Sequence, residues 1–234
     1  MYNHIKSSMS CTSCSKTRHS NADDSAAKLA LKVSRPASDS IAEFVPKPVF
    51  KVLVVGNSGV GKTQLLNRLV GEDFDALNVA TIGVDFKYKT CRPRNAKPTL
   101  DGETVQVKFQ LVDTAGQEKY RCITQSYYHG MHITMVCFRI GDEESEEAAS
   151  YWTKEVQRQY PEGQRRVVLL VGTFTDHPGP TRFRGPFSEA PLNCLPYYEV
   201  SSKLGEITSL ENFFQDWTDS WYKQYENSLS KPEH

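Results

Sequence analysis

The 234-residue sequence carries no net charge, its 28 Lys and Arg balancing 28 Asp and Glu. Composition therefore supplies no general attraction to nucleic acid or to a strongly anionic surface, and no nucleic-acid partner is expected. No apolar run approaches the roughly 20 residues that a membrane-spanning helix needs. Cysteines are few, six in all, and scattered as Cys11, Cys14, Cys91, Cys122, Cys137 and Cys194. No apolar segment follows the N-terminus as in a secretory leader, so a disulfide framework is disfavoured and a cytoplasmic, reducing compartment is expected. Cys11-Thr12-Ser13-Cys14 lacks a second C-x-x-C at zinc-site spacing, which leaves an incidental thiol pair preferred over a metal site or lipidated cysteines. Internal repeats are also missing.

What is present divides unevenly. Residues 1–48 are rich in Ser, Lys, Ala and Asp, hold seven Lys/Arg against four Asp/Glu, and show no sustained period of two or 3.6. They read as a flexible arm. The first 22 residues lack acids, a faint transit-peptide signal that Asp23 and Asp24 weaken. From Val49 short β-branched runs alternate with amphipathic stretches, the texture of an α/β domain with a mostly parallel six-stranded sheet flanked by helices. Strands are expected at Val49 to Val55, Val84 to Thr90, Thr104 to Val112, His132 to Ile140, Arg166 to Gly172 and Tyr197 to Ser201. Helices are expected at Lys62 to Val70, Glu143 to Tyr160 and Ile207 to Tyr225, with a weaker one over Glu118 to His129. The domain would span 49–225 and leave a short tail at 226–234.

Between the first strand and first helix lies Gly56-Asn57-Ser58-Gly59-Val60-Gly61-Lys62-Thr63. A glycine-rich loop in that position aims backbone N–H groups and the positive end of a helix at phosphate oxygens. Lys62 would reach the β- and γ-phosphates and the Thr63 hydroxyl would ligate Mg²⁺. An ordinary glycine-rich turn does not explain Lys62-Thr63 opening an amphipathic helix. About 50 residues on, Asp113-Thr114-Ala115-Gly116-Gln117-Glu118 follows another strand. Asp113 suits a Mg²⁺-water ligand, Gly116 can turn its N–H toward a γ-phosphate, and Gln117 is placed to orient an attacking water.

These runs, with Thr81-Ile82-Gly83-Val84-Asp85-Phe86, Tyr127-Tyr128-His129-Gly130 and Asp142-Glu143-Glu144-Ser145, resemble the Ras-like small GTPases and among them the Rab family, from about Val49 to Tyr225. The resemblance implies a GTP/GDP switch with Mg²⁺ that hydrolyses GTP slowly, with Lys62 and Gln117 catalytic. It implies nucleotide contacts at Ser58, Gly59, Val60, Gly61, Lys62, Thr63, Gln64, Phe74, Thr81 and Gly116. The metal would meet Thr63, Thr81 and, through water, Asp113. Phe74 would pack edge-on against guanine. Effector, exchange-factor and GTPase-activating proteins would meet Thr81–Phe86 and Asp113–Tyr128, in intracellular vesicle transport or signalling. The domain is expected to act as a monomer recruited peripherally to endomembranes.

The family's Asn-Lys-x-Asp base reader is replaced by Thr173-Phe174-Thr175-Asp176. Asp176 keeps the carboxylate that accepts from guanine N1 and N2, the Asn becomes a shorter hydroxyl, and the Lys stem becomes Phe174, whose face can stack on a purine. Ser201-Ser202-Lys203 resembles the last motif, usually Ser-Ala-Lys, whose backbone N–H contacts guanine O6. Val112 stands where Rab proteins usually carry a Trp of the effector-facing aromatic trio, leaving Phe86 and Tyr127. Cys91 to Pro98 is a long basic loop, expected to be solvated. Five prolines in His177 to Pro196 shorten or remove the family's fourth helix. The end of the chain shows no prenylatable cysteine. A second reading is a pseudo-GTPase, an interaction module with weak or non-cycling nucleotide binding. A P-loop kinase or ATPase leaves the Thr81 and Asp113 to Gln117 runs unexplained.

Overall fold

The computed structural model describes residues 47–77, 81–98, 102–114, 128, 130–159, 166–177 and 192–229. All but Tyr128 of the expected helix over Glu118 to His129, the expected site and partner residues Gly116, Gln117 and Tyr127, Cys11 and Cys14, and most of the proline-rich segment lie outside them. The strands are β1 (Val49–Val55), β2 (Val84–Cys91), β3 (Val107–Thr114), β4 (Ile133–Arg139), β5 (Val167–Thr173) and β6 (Tyr197–Glu199). The helices among the described residues are α1 (Lys62–Leu69), α2 (Glu143–Arg158) and α3 (Thr208–Leu229), with a 3-10 turn at Leu192–Cys194.

Strand order is β2-β3-β1-β4-β5-β6, and only β2 runs antiparallel to its neighbour. Because side chains alternate across a strand, β1 serves two cores. Phe50, Val52 and Val54 face a cluster with Leu65 and Leu66 of α1 and Phe214, Trp217 and Trp221 of α3. Leu53 and Val55 face the other, with Val136, Phe138, and Trp152 and Val156 of α2. Burial on both faces explains the near-continuous apolar strands. The Phe50 ring meets Trp217 edge-on at 5.7 Å between centroids, and Phe109 meets Phe214 at 5.0 Å. Trp217→Ala is expected to cost about 3 kcal/mol in urea unfolding, at the low end for an aromatic truncation. The low end follows because the buried Trp217 indole N–H has no partner whose loss would add to the cost.

Among the described elements β1 alone keeps both expected bounds; the others shift by one to four residues, and those of β3, β6 and α3 have a visible cause. β3 begins at Val107, where pairing with Cys91 of β2 begins, and extends to Thr114. β6 stops at Glu199 because Ser201 pairs its backbone with Glu206. α3 continues beyond Tyr225 to Leu229, its last turns held by Trp221 stacked on Tyr225 and by the Ser228 hydroxyl on the Tyr225 carbonyl. Part of the expected tail is therefore helix. The 91–98 loop is exposed in part, as expected, but it is also tied down. Arg94 makes ion pairs of 3.0 Å to Asp216 and 2.8 Å to Asp219, and the Gln215 amide donates to the Arg92 carbonyl.

Candidate functional site

In an open sheet, the ends of strands on either side of a reversal in strand order leave a crevice. Here β1 leads to β3 on one side and β4 on the other, and the phosphate loop starts where β1 ends. Gly56, at φ 144, lies so close to β4 that a Cβ would stand 2.2 Å from the Cys137 carbonyl oxygen. No side chain larger than hydrogen fits there. Burial pushes the neighbouring Cys137 thiol up to about 12, which removes it from chemistry at neutral pH.

The loop ends at Gly61, left-handed at φ 84, and α1 begins without a side-chain cap or an acidic residue in its first turn. Its first N–H groups are thus left to an external anion. Lys62 is buried, and its ammonium donates to the Gly56 carbonyl at 2.9 Å and the Asn57 carbonyl at 2.7 Å. Of its three protons these bonds use two, which anchors the charge while one stays available to a phosphate. Desolvation lowers its pKa, opposed by the charge of Asp113. Asn57 is fixed in turn by the indole of Trp152 on α2, 3.0 Å from its side-chain oxygen. Sequence spacing gave no hint of this bond across 95 residues.

Thr63 donates to Asp113 at 2.6 Å and lies 2.7 Å from the Thr81 hydroxyl. With its single proton directed at the carboxylate, Thr63 must accept from Thr81. Three oxygen-bearing side chains from a helix, a loop and a strand therefore meet. The second Asp113 oxygen is buried without a partner, and burial raises the carboxyl's pKa against the opposing effects of the Thr63 hydroxyl and Lys62. Two hydroxyls and a carboxylate with a spare buried oxygen fit a small hard cation that also takes phosphate oxygens. Mg²⁺ satisfies that description.

These groups open into a cavity of about 540 Å³. Ser58, Gly59, Gly61, Lys62, Thr63 and Thr81 line its phosphate end, and Phe74, Thr173, Phe174, Asp176, Ser202 and Lys203 line the rest. Gln64 also lines it, but its amide makes a reciprocal pair with the Asp75 backbone, donating at 2.9 Å and accepting at 3.1 Å. Its side chain thereby fixes the segment that carries Phe74. Val60 is buried, and its part is played by its carbonyl.

That carbonyl accepts from Thr173, whose hydroxyl lies 2.8 Å from Val60 and 2.9 Å from the Phe138 carbonyl. The buried Thr173, which stands where the family's motif has an Asn, thus ties the loop after β5 to the glycine-rich loop. Thr173→Val keeps the shape and removes the hydroxyl, so a loss of about 1–3 kcal/mol in urea unfolding is expected, with faster release of bound nucleotide. Asp176 is held by the Ser201 hydroxyl at 2.7 Å. The carbonyls of Ser202 and Lys203 accept from Arg68 of α1 at 2.7 and 3.3 Å, which fixes the last motif beside the cavity. Arg68 was not foreseen, since a basic residue in a helix's last turn is unremarkable in sequence.

The Ras family model matches residues 51–222. The GTP-binding protein YPT1 of Saccharomyces cerevisiae is 44% identical over 168 residues, covering 71% of this chain and 75% of the yeast protein. The GTP-binding protein ypt1 of Schizosaccharomyces pombe is 41% identical over 128 residues, and the matched part spans 58% of that protein's length. Matched by the family model from β1 into α3, and carrying the Rab-type runs at Thr81 and Asp113, the chain belongs to the Ras family of small GTPases, in its Rab branch.

Proposed function

We propose that this chain is a guanine-nucleotide switch that binds GTP and GDP with Mg²⁺ and hydrolyses GTP slowly, acting in intracellular vesicle transport. The observation that carries this reading is one cavity lined by Lys62, Thr63, Thr81 and Asp176, with Asp113 bonded to Thr63 at its edge. Thr63 and Thr81 would hold Mg²⁺ directly and Asp113 through water; the ion supplies charge neutralisation at the β- and γ-phosphates. Lys62, held by two carbonyls, presents its charge to the same phosphates without reorganising. Gly116 would present its N–H to the γ-phosphate. Gln117 would orient the attacking water, and the segments around Thr81 and Gly116 would relax once the γ-phosphate leaves.

Asp176 supplies the guanine selection, because its carboxylate pairs with donors that adenine lacks. Asp176→Ala is expected to weaken GDP binding by about ten- to a hundredfold, the range for losing hydrogen bonds to a charged group, and to leave ADP binding unchanged. Isothermal titration with both nucleotides checks it; an equal loss for ADP would contradict the assignment. Partners would meet the exposed edge formed by Ile82 and Phe86, 81% and 43% exposed. Val112, across the ladder from Phe86, is buried in the core and adds nothing to that surface. The reading as a non-cycling module rested on Thr173, Phe174 and the expected loss of the fourth helix, and the tie of the Thr173 hydroxyl to the Val60 carbonyl answers the first of these.

A further inference from the structure

Where α1 ends, the chain doubles back. The N–H groups of Gly71 and Glu72 bond to the Arg68 and Asn67 carbonyls, and residues 73–77 then return to the first turn of the helix, where they meet Gln64. The Gln64 side chain is buried, and both ends of its amide are used on the Asp75 backbone. A glutamine can do this because it carries a donor and an acceptor side by side, as a peptide group does. The Asp75 carboxylate then accepts from the Leu77 N–H at 2.8 Å, which closes an Asx turn and stiffens the elbow. Among the described residues, no other hydrogen bond joins 74–77 to the rest of the domain. Yet Phe74, Asp75 and Ala76 together form one wall of the cavity. Leu77, at the end of this wall, is 87% exposed, so core packing does not hold it.

We infer that Gln64 is a positioning residue that sets how long a nucleotide stays bound: its amide holds the 74–77 elbow against the cavity, and the nucleotide leaves when both bonds open and the wall swings out. The inference rests on the guanine-nucleotide reading and adds to it a control of release. Capture is governed by phosphates reaching Lys62 and the start of α1, neither of which depends on the elbow. Release needs the elbow to open, so a weakened clamp shows in dissociation rather than association. Local opening is cheap where few bonds must break, and here only the two Gln64 bonds hold the wall. Thr81, farther along the same segment, is held instead by Thr63 at the metal-fitting cluster. Two neighbours on α1 thus hold one segment at two points, Thr63 beside the phosphates and Gln64 at the exit.

The test uses the full chain with Mg²⁺ and a fluorescent GDP analogue. Chase with excess GDP reads release, rapid mixing reads capture, and competition reads pyrophosphate, which has neither base nor ribose. Gln64→Met keeps length and bulk and removes both bonds. It is expected to speed release about tenfold, the effect of losing two hydrogen bonds of modest net strength, with capture within about twofold of wild type. Pyrophosphate affinity is expected to stay unchanged. Amide hydrogen exchange of the nucleotide-free protein supplies a second readout: the 73–77 segment should exchange faster, because the Asp75 N–H has lost its acceptor, while α1 exchanges as before. Gln64→Ala should reproduce the pattern, and thermal melting checks that both variants fold. Release at the wild-type rate in both variants overturns the inference, as does an equal loss for pyrophosphate or unchanged exchange over 73–77. Failure of wild type to bind the GDP analogue overturns the nucleotide reading, and this inference with it.

Discussion

Lys62→Ala is expected to lower GTP and GDP affinity by at least about a hundredfold, the largest effect of any single change at this site. Two losses combine. The phosphates lose a buried, preoriented ammonium, and the carbonyls of Gly56 and Asn57 lose the donor that ties the loop to the start of α1. The second loss distinguishes this lysine from a surface cation, whose removal costs little. Equilibrium titration with a fluorescent GDP analogue reads it, and circular dichroism checks that the sheet remains. Affinity within tenfold of wild type would show that the phosphates do not lie against Lys62.

Gln117→Leu is expected to slow single-turnover GTP hydrolysis by at least about tenfold while GTP affinity stays within twofold. Gln117 follows the strand that ends beside the metal-fitting cluster, and its proposed role is to orient water in the step of γ-phosphoryl transfer rather than to hold ground-state nucleotide. A pair of rapid-quench and binding measurements separates the two effects. Hydrolysis at the wild-type rate would remove Gln117 from the reaction and revive a non-cycling module.

Lys62 also marks where sequence was readable. The phosphate loop was legible because its chemistry is contiguous: eight residues, flanked by an apolar run and by Leu residues at helical spacing, define both the fold and the ligand. β1 begins and ends where its apolar pattern does, and α1 starts at Lys62. The base loop was legible at Asp176 and opaque at Thr173, since only the fold shows that a hydroxyl at that position reaches both Val60 and Phe138. Trp152 holding Asn57, Arg68 holding the last motif and Arg94 clasped to α3 share a cause. Each joins residues far apart in sequence through one side chain, and periodicity carries no trace of such pairs. Boundaries slipped for a related reason: β3 and β6 begin or end where partner strands pair, not where their own alternation does.

The clasp of Arg94 shows how much a basic loop's composition can mislead. The Arg94 charge is matched within the chain by Asp216 and Asp219, which docks the β2–β3 turn onto α3. Overall neutrality and local pairing agree here.

The central claim, a Mg²⁺-dependent guanine-nucleotide site in which Asp176 selects the base, is tested most directly by titrating the full chain with GDP, GTP and ATP in the presence and absence of Mg²⁺. The account predicts that both guanine nucleotides bind at least about tenfold more tightly than ATP, with affinity falling when Mg²⁺ is removed. No guanine binding at high micromolar protein, or ATP bound as tightly as GTP, would contradict it.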